Sequence, residues 1–112
     1  MVFNEPGSDV VLPLLDGSLL SAVNLAEVHT MLLLRGAGSD FAWRRLLGLG
    51  CEIRSFGEEE GRLAAELAVR QRGLSLADRA CLALAMRTKA VVYTANSTWK
   101  SLGLGVRVEA IR

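Results

Sequence analysis

Two short stretches of this chain have the same form. Asn24-Leu-Ala-Glu27 and Ser75-Leu-Ala-Asp78 each place an acid three residues after a capping-type residue. A third stretch, Thr94-Ala-Asn96, closes a β-branched run. At a helix start, Ser75 can accept from the backbone N–H three residues on while Asp78 reaches back, which is a capping box. Asn24 and Glu27 suit the same arrangement. An acid in that position usually complements the helix dipole and does nothing more. Acids gathered on one rim have a further use, because mutually repelling carboxylates are stabilised by a hard cation between them. Mg²⁺ takes oxygen ligands and keeps several waters. It lowers the pKa of a bound water and stabilises the charge of phosphate displacement.

The element that must position these groups is Gly73–Asn96, an apolar helix running into a short strand. From Ala80 to Met86 the helix is apolar on every side, so it should be buried. Lys89 and Ala90 turn the chain, and Val91-Val-Tyr-Thr94 reads as a buried parallel strand. From Asp78 to the turn is roughly 15 Å at the helical rise. From the turn to Asn96 is roughly 20 Å at the strand rise. The lengths nearly cancel, so Asp78 and Asn96 belong together at the carboxyl edge of a sheet, where open α/β sheets bind ligands. Ser18–Val23 is a strand candidate. Glu27 follows it at the start of the next helix and reaches the same rim. Glu27, Asp78 and Asn96 are therefore the candidate catalytic and metal-holding set.

Elsewhere the chain alternates helices with short strands. Asn4-Glu-Pro-Gly7 is turn chemistry, and Ser8–Asp16 reads as a short helix. Asn24 caps a helix that stops at Arg35-Gly36. Ser39–Leu47 is a helix with Phe41, Trp43, Leu46 and Leu47 against Arg44 and Arg45. Cys51–Phe56 alternates like an exposed edge strand. Gly57–Arg72 is an amphipathic helix with Leu63, Ala64 and Leu67 inward and Glu58–Glu60 in its first turn. Ser97–Leu102 is a turn or short helix, and Val106–Ile111 is a last strand. The class is α/β with a mainly parallel sheet.

Bulk composition bounds the rest. The 112 residues suit one domain, with 51% hydrophobic residues and a mean hydropathy of +0.31. Thirteen basic and twelve acidic residues give net +1, so any nucleic-acid contact needs a local patch. Arg44, Arg45, Arg79, Arg87 and Lys100 are candidates to line such a path, with Trp99 as a stacking surface, against the plainer reading of solvated helix faces and a core Trp. Cys51 and Cys81 form no zinc pattern. The sequence shows neither a signal peptide at MVFNEPGSD nor the ~20 apolar residues of a membrane span, and a cytoplasmic setting is expected. His29 lies two residues from Glu27 and faces elsewhere on a helix. No serine has the setting of a hydrolase nucleophile, and the glycines form no phosphate loop.

Ser21-Ala-Val-Asn-Leu-Ala-Glu27-Val, Gly73-Leu-Ser-Leu-Ala-Asp78-Arg-Ala-Cys-Leu-Ala-Leu-Ala and Val92-Tyr-Thr-Ala-Asn96-Ser-Thr-Trp99 resemble successive motifs of a PIN domain. They are most similar to the VapC-type toxins of bacterial toxin–antitoxin pairs. The Asn4-Glu-Pro-Gly7 start and the closing Val-Glu-Ala-Ile-Arg112 resemble that family too, so the likeness spans 1–112 as one three-layer domain. The resemblance implies a Mg²⁺- or Mn²⁺-dependent endoribonuclease acting on RNA, with Glu27 and Asp78 as metal-binding acids and Thr94 as a polar supporter. It also implies an antitoxin that binds as an extended, partly helical peptide.

Two departures stand out. The family carries its first acid on an opening strand upstream of the Glu-Pro-Gly turn, whereas this chain starts at Met1-Val-Phe, inside what would be the first helix. Asn96 stands where the family has Asp. The resemblance thus implies an N-terminally truncated domain with two of four acids, either an impaired ribonuclease or an inactive PIN-fold binding module. In the strand order it implies, 3-2-1-4-5, the missing first strand is central. The strands at 18–23 and 91–94 would then flank an open slot. Unmet backbone groups there cost about 1–3 kcal/mol apiece, so the expectation is direct closure, or a homodimer or strand-swapped oligomer.

Overall fold

The computed structural model describes residues 2–3, 17–48, 50–94, 99 and 102–110. Strand β1 is Val2–Phe3 and β2 is Leu19–Ser21. Helix α1, Ala22–Leu34, and helix α2, Ser39–Leu47, lead to β3, Glu52–Arg54. Helix α3, Glu58–Arg70, and helix α4, Leu76–Thr88, lead to β4, Val92–Thr94, and finally β5, Val108–Ala110. The expected helix at Ser8–Asp16 lies outside the described residues, as does most of Ser97–Leu102.

The strands form one sheet in the order β3-β2-β1-β4-β5, and every pairing is parallel. The expected open slot is corrected here, because β1 fills it. Val2 pairs with Leu19 on one side and Val92 on the other, and Phe3 pairs with Tyr93. Two residues suffice because the neighbouring strands have only three each. The physical reason for a strand-swapped oligomer goes with the slot.

Alternation along β2 separates two cores. Leu19 packs on one side with Leu67, Cys81–Ala85, Val92 and Trp99. Leu20 is buried on the other with Leu25 and Leu46. The first core is supplied by α3 and α4, the second by α1 and α2. Register keeps the faces consistent, since Leu19, Val92 and Val108 pack on the same cluster. At the far side β3 is an edge strand with all three residues exposed, as its alternating polar sequence predicts.

Helix α1 begins earlier than Asn24. Ser21 is its cap and accepts a hydrogen bond from the Val23 N–H at 3.3 Å. The strand expected over 18–23 therefore ends at Ser21, and Asn24 is corrected from a cap to a residue of the first turn. A serine in extended conformation at the end of β2 captures the free N–H groups first. Helix α4 starts as its sequence predicts. Ser75 Oγ accepts from the Asp78 N–H at 3.1 Å, and Asp78 Oδ2 accepts from the Ser75 N–H at 3.0 Å. Residues Ala80–Ala85 are buried throughout. The helix ends at Lys89, which takes the left-handed conformation with φ +55°.

Candidate metal centre

Helix α1 leaves the carboxyl end of β2, and α4 returns from the same edge to enter β4. The two helix starts meet. Asn24 Nδ2 donates to the Ala77 carbonyl at 3.2 Å, and Asn24 is 1% exposed. This bond joins the first turns of the helices that carry Glu27 and Asp78. Sequence reasoning missed this role for Asn24, because a cap and a first-turn residue look alike in a single sequence.

The two acids differ in setting. Glu27 lies in the second turn of α1, exposed and away from the cap, and no interaction within the described residues engages it. Asp78 is half-buried, with one carboxylate oxygen held by the Ser75 N–H. Its charge, together with the larger effect of burial, pushes the Cys81 thiol well up. Cys81 therefore stays protonated and inert at the heart of the core. Thr94 is fully buried at the end of β4. Asn96 and Lys100 lie outside the described residues.

Three side chains expected to line an RNA path are engaged elsewhere in the fold. Trp99 is 3% exposed and packed in the larger core, so it offers no face to a base. Arg79 is half-buried and turned toward α3, where Nη1 donates to the Ala64 carbonyl at 3.0 Å. Arg87 binds Glu59 and Glu60 at the far end of α4, which removes it from any RNA path near Asp78.

Among the described residues, no three His, Cys, Asp or Glu side chains gather as a metal group. Glu27 and Asp78 offer carboxylate oxygens, donors of the kind a hydrated hard cation takes. Mg²⁺ is typically bound through one or two carboxylates with waters filling the rest.

The PIN domain family profile matches residues 1–103. The chain belongs to the PIN domain family. Among solved structures, the PIN fold here is similar to VapBC-1 from nontypeable Haemophilus influenzae, with a TM-score of 0.68, 14% identity and 98% of each chain covered. It is also similar to VapBC2 from Rickettsia felis bound to a DNA fragment from their promoter, with a TM-score of 0.66, 18% identity and 98% of each chain covered. No curated protein sequence matches the chain. No helix among the described residues of this PIN domain is long and apolar enough to cross a membrane.

Proposed function

We propose that this PIN domain is a VapC-like endoribonuclease, the cytoplasmic toxin of a toxin–antitoxin pair, using Mg²⁺ or Mn²⁺ held by Glu27 and Asp78 with Asn96 beside them. The observation that carries the reading is the Asn24–Ala77 bond, which sets the first turns of the helices carrying Glu27 and Asp78 against each other at the carboxyl edge of the sheet. When bound, the cation supplies a water of lowered pKa and stabilises the negative charge of phosphodiester displacement. The chain's own part is to hold the two acids in place. The Ser75 N–H holds Oδ2 of Asp78, which leaves Oδ1 for the cation in this reading. Thr94, fully buried at the end of β4, is the polar supporter in this reading.

A partner reading has its own support. Met31, Leu33, Leu34, Phe41, Trp43 and Leu47 are exposed on α1 and α2, and Leu34 is 82% exposed. Arg44 and Arg45 lie on α2, and Arg35 caps the end of α1. An extended, partly helical antitoxin segment with apolar and acidic side chains suits that surface.

The second reading, an inactive PIN-fold binding module, is favoured by one feature. The described strand β1, Val2–Phe3, carries no acid beside β4. The experiment that separates the two is cleavage of a single-stranded RNA by the purified chain in Mn²⁺, with a chelator control. Metal-dependent cleavage that falls at least tenfold in Glu27→Gln supports the enzyme. Cleavage that persists unchanged in Glu27→Gln and Asp78→Asn means these residues do not form the site. No cleavage by the native chain favours the binding module.

A further inference from the structure

Asn24 is a polar side chain in a place where an apolar one would pack. It is 1% exposed, between the first turn of α1 and that of α4, and its Nδ2 donates to the Ala77 carbonyl across 53 positions of sequence. Ala77 immediately precedes Asp78. Glu27 follows Asn24 by three residues, so the two project from neighbouring positions of one helical face. The side of α1 that meets α4 through Asn24 therefore carries Glu27 one turn further along.

A burial seam between helices is held well enough by apolar contact, which is non-directional and tolerates sliding. A hydrogen bond to a single carbonyl tolerates little. A shift of one residue along α1 moves Asn24 by about 1.5 Å and takes the 3.2 Å contact out of bonding range. A single buried amide fixes register in the same way between the helices of a coiled coil. Here the quantity fixed is the axial offset of α1 against α4, and with it the separation of Glu27 from Asp78.

We propose that Asn24 is the positioning residue of the Glu27–Asp78 pair, its amide holding the two carboxylates at the spacing a shared divalent cation needs. The proposal rests on the reading of Glu27 and Asp78 as cation ligands. Groups that orient metal ligands typically contribute 10–100-fold to metal affinity.

The test is Mn²⁺ binding to the purified chain, followed by the electron paramagnetic resonance of the free ion, with no RNA present. Asn24→Leu keeps the branched side-chain skeleton and removes the donor, and Asn24→Ala, which cannot overpack, is the second variant. Each is measured well below its own thermal midpoint, where a merely structural residue leaves the affinity of the folded chain unchanged. The expected result is at least tenfold weaker Mn²⁺ binding in a folded Asn24→Leu, with Glu27→Gln weaker still. If Glu27→Gln weakens binding and a folded Asn24→Leu or Asn24→Ala binds as the native chain does, the positioning role is overturned while the metal site stands. If Glu27→Gln binds as the native chain does, or the native chain binds no Mn²⁺, the metal site itself fails and the proposal with it. If neither replacement folds, Asn24 is a determinant of the fold and not a device of the site, which also overturns the proposal.

Discussion

Glu27 and Asp78 carry the same charge in two different settings. Asp78 spends Oδ2 on the Ser75 N–H and is thus part of the helix start as well as of the candidate site. Glu27 has no such duty. Their substitutions should separate function from stability. Asp78→Ala is expected to cost about 1 kcal/mol of folding free energy through the lost cap interaction. Glu27→Gln should stay within about 0.5 kcal/mol of the native chain, as exposed substitutions do. Urea unfolding checks both, and an equal loss in the two variants would mean that Glu27 also has a structural partner. Asn96→Asp is expected to tighten Mg²⁺ binding measured by calorimetry, since it adds a charge where the amide offers only an oxygen. Unchanged or weaker binding would place position 96 away from the cation. At this scale the sequence was legible where the chemistry is local. The Ser75–Asp78 box is written in four residues. The turn of Arg79 toward α3 is not, because it depends on which helix packs overhead.

Helices α3 and α4 are joined at one end by a small charge cluster. Arg87, in the last turn of α4, binds both Glu59 and Glu60 in the first turn of α3. The Gly57 N–H donates to Glu60 Oε1 at 2.9 Å. That backbone bond, and then the Arg87 charge, hold the Glu60 carboxyl below its usual 4.5. A depressed carboxyl stabilises the fold fully above its unfolded value, and the contribution disappears as pH falls through the folded value. Glu60→Gln is therefore expected to be less stable than the native chain at pH 7, with the gap closing below about pH 4.5. Denaturant midpoints across pH 3–7 test it, and a gap that does not change with pH would assign the loss to geometry alone. The other end of α4 supplies a second prediction. Lys89 holds φ +55°, a conformation that costs a side chain about 1 kcal/mol relative to glycine. Lys89→Gly should raise stability by about that amount, read as a higher thermal midpoint. A lower midpoint would show that the lysine has a compensating contact. Element by element, the periodicity of α2, α3 and α4 predicted their limits closely. The start of α1 was misread because Ser21 and Asn24 are both good caps, and only the length of β2 decides between them.

The whole molecule depends on its shortest element. β1 has two residues, and it joins β2 to β4 across the centre of the sheet. Deleting residues 1–3 should leave facing edges of β2 and β4 unpaired inside the core, with unmet groups at about 1–3 kcal/mol each. The expected outcome is loss of cooperative unfolding and aggregation seen by light scattering. A monomer that still unfolds cooperatively would show that β2 and β4 can pair directly. The sheet order was legible from the motifs, but the occupant of its centre was not, because Val2–Phe3 has no periodicity of its own to mark a strand. The same two residues set the order of events when the chain folds. Val2 meets Leu19 after a loop of about 17 residues but meets Val92 only after one of about 90. By loop-closure entropy the second meeting costs about 1.5 kcal/mol more than the first. The half containing β2 can thus recruit β1 early, and the two halves are locked only when β4 arrives. Refolding should show a late, rate-limiting step that Val92 substitutions slow and Leu46 substitutions leave unchanged.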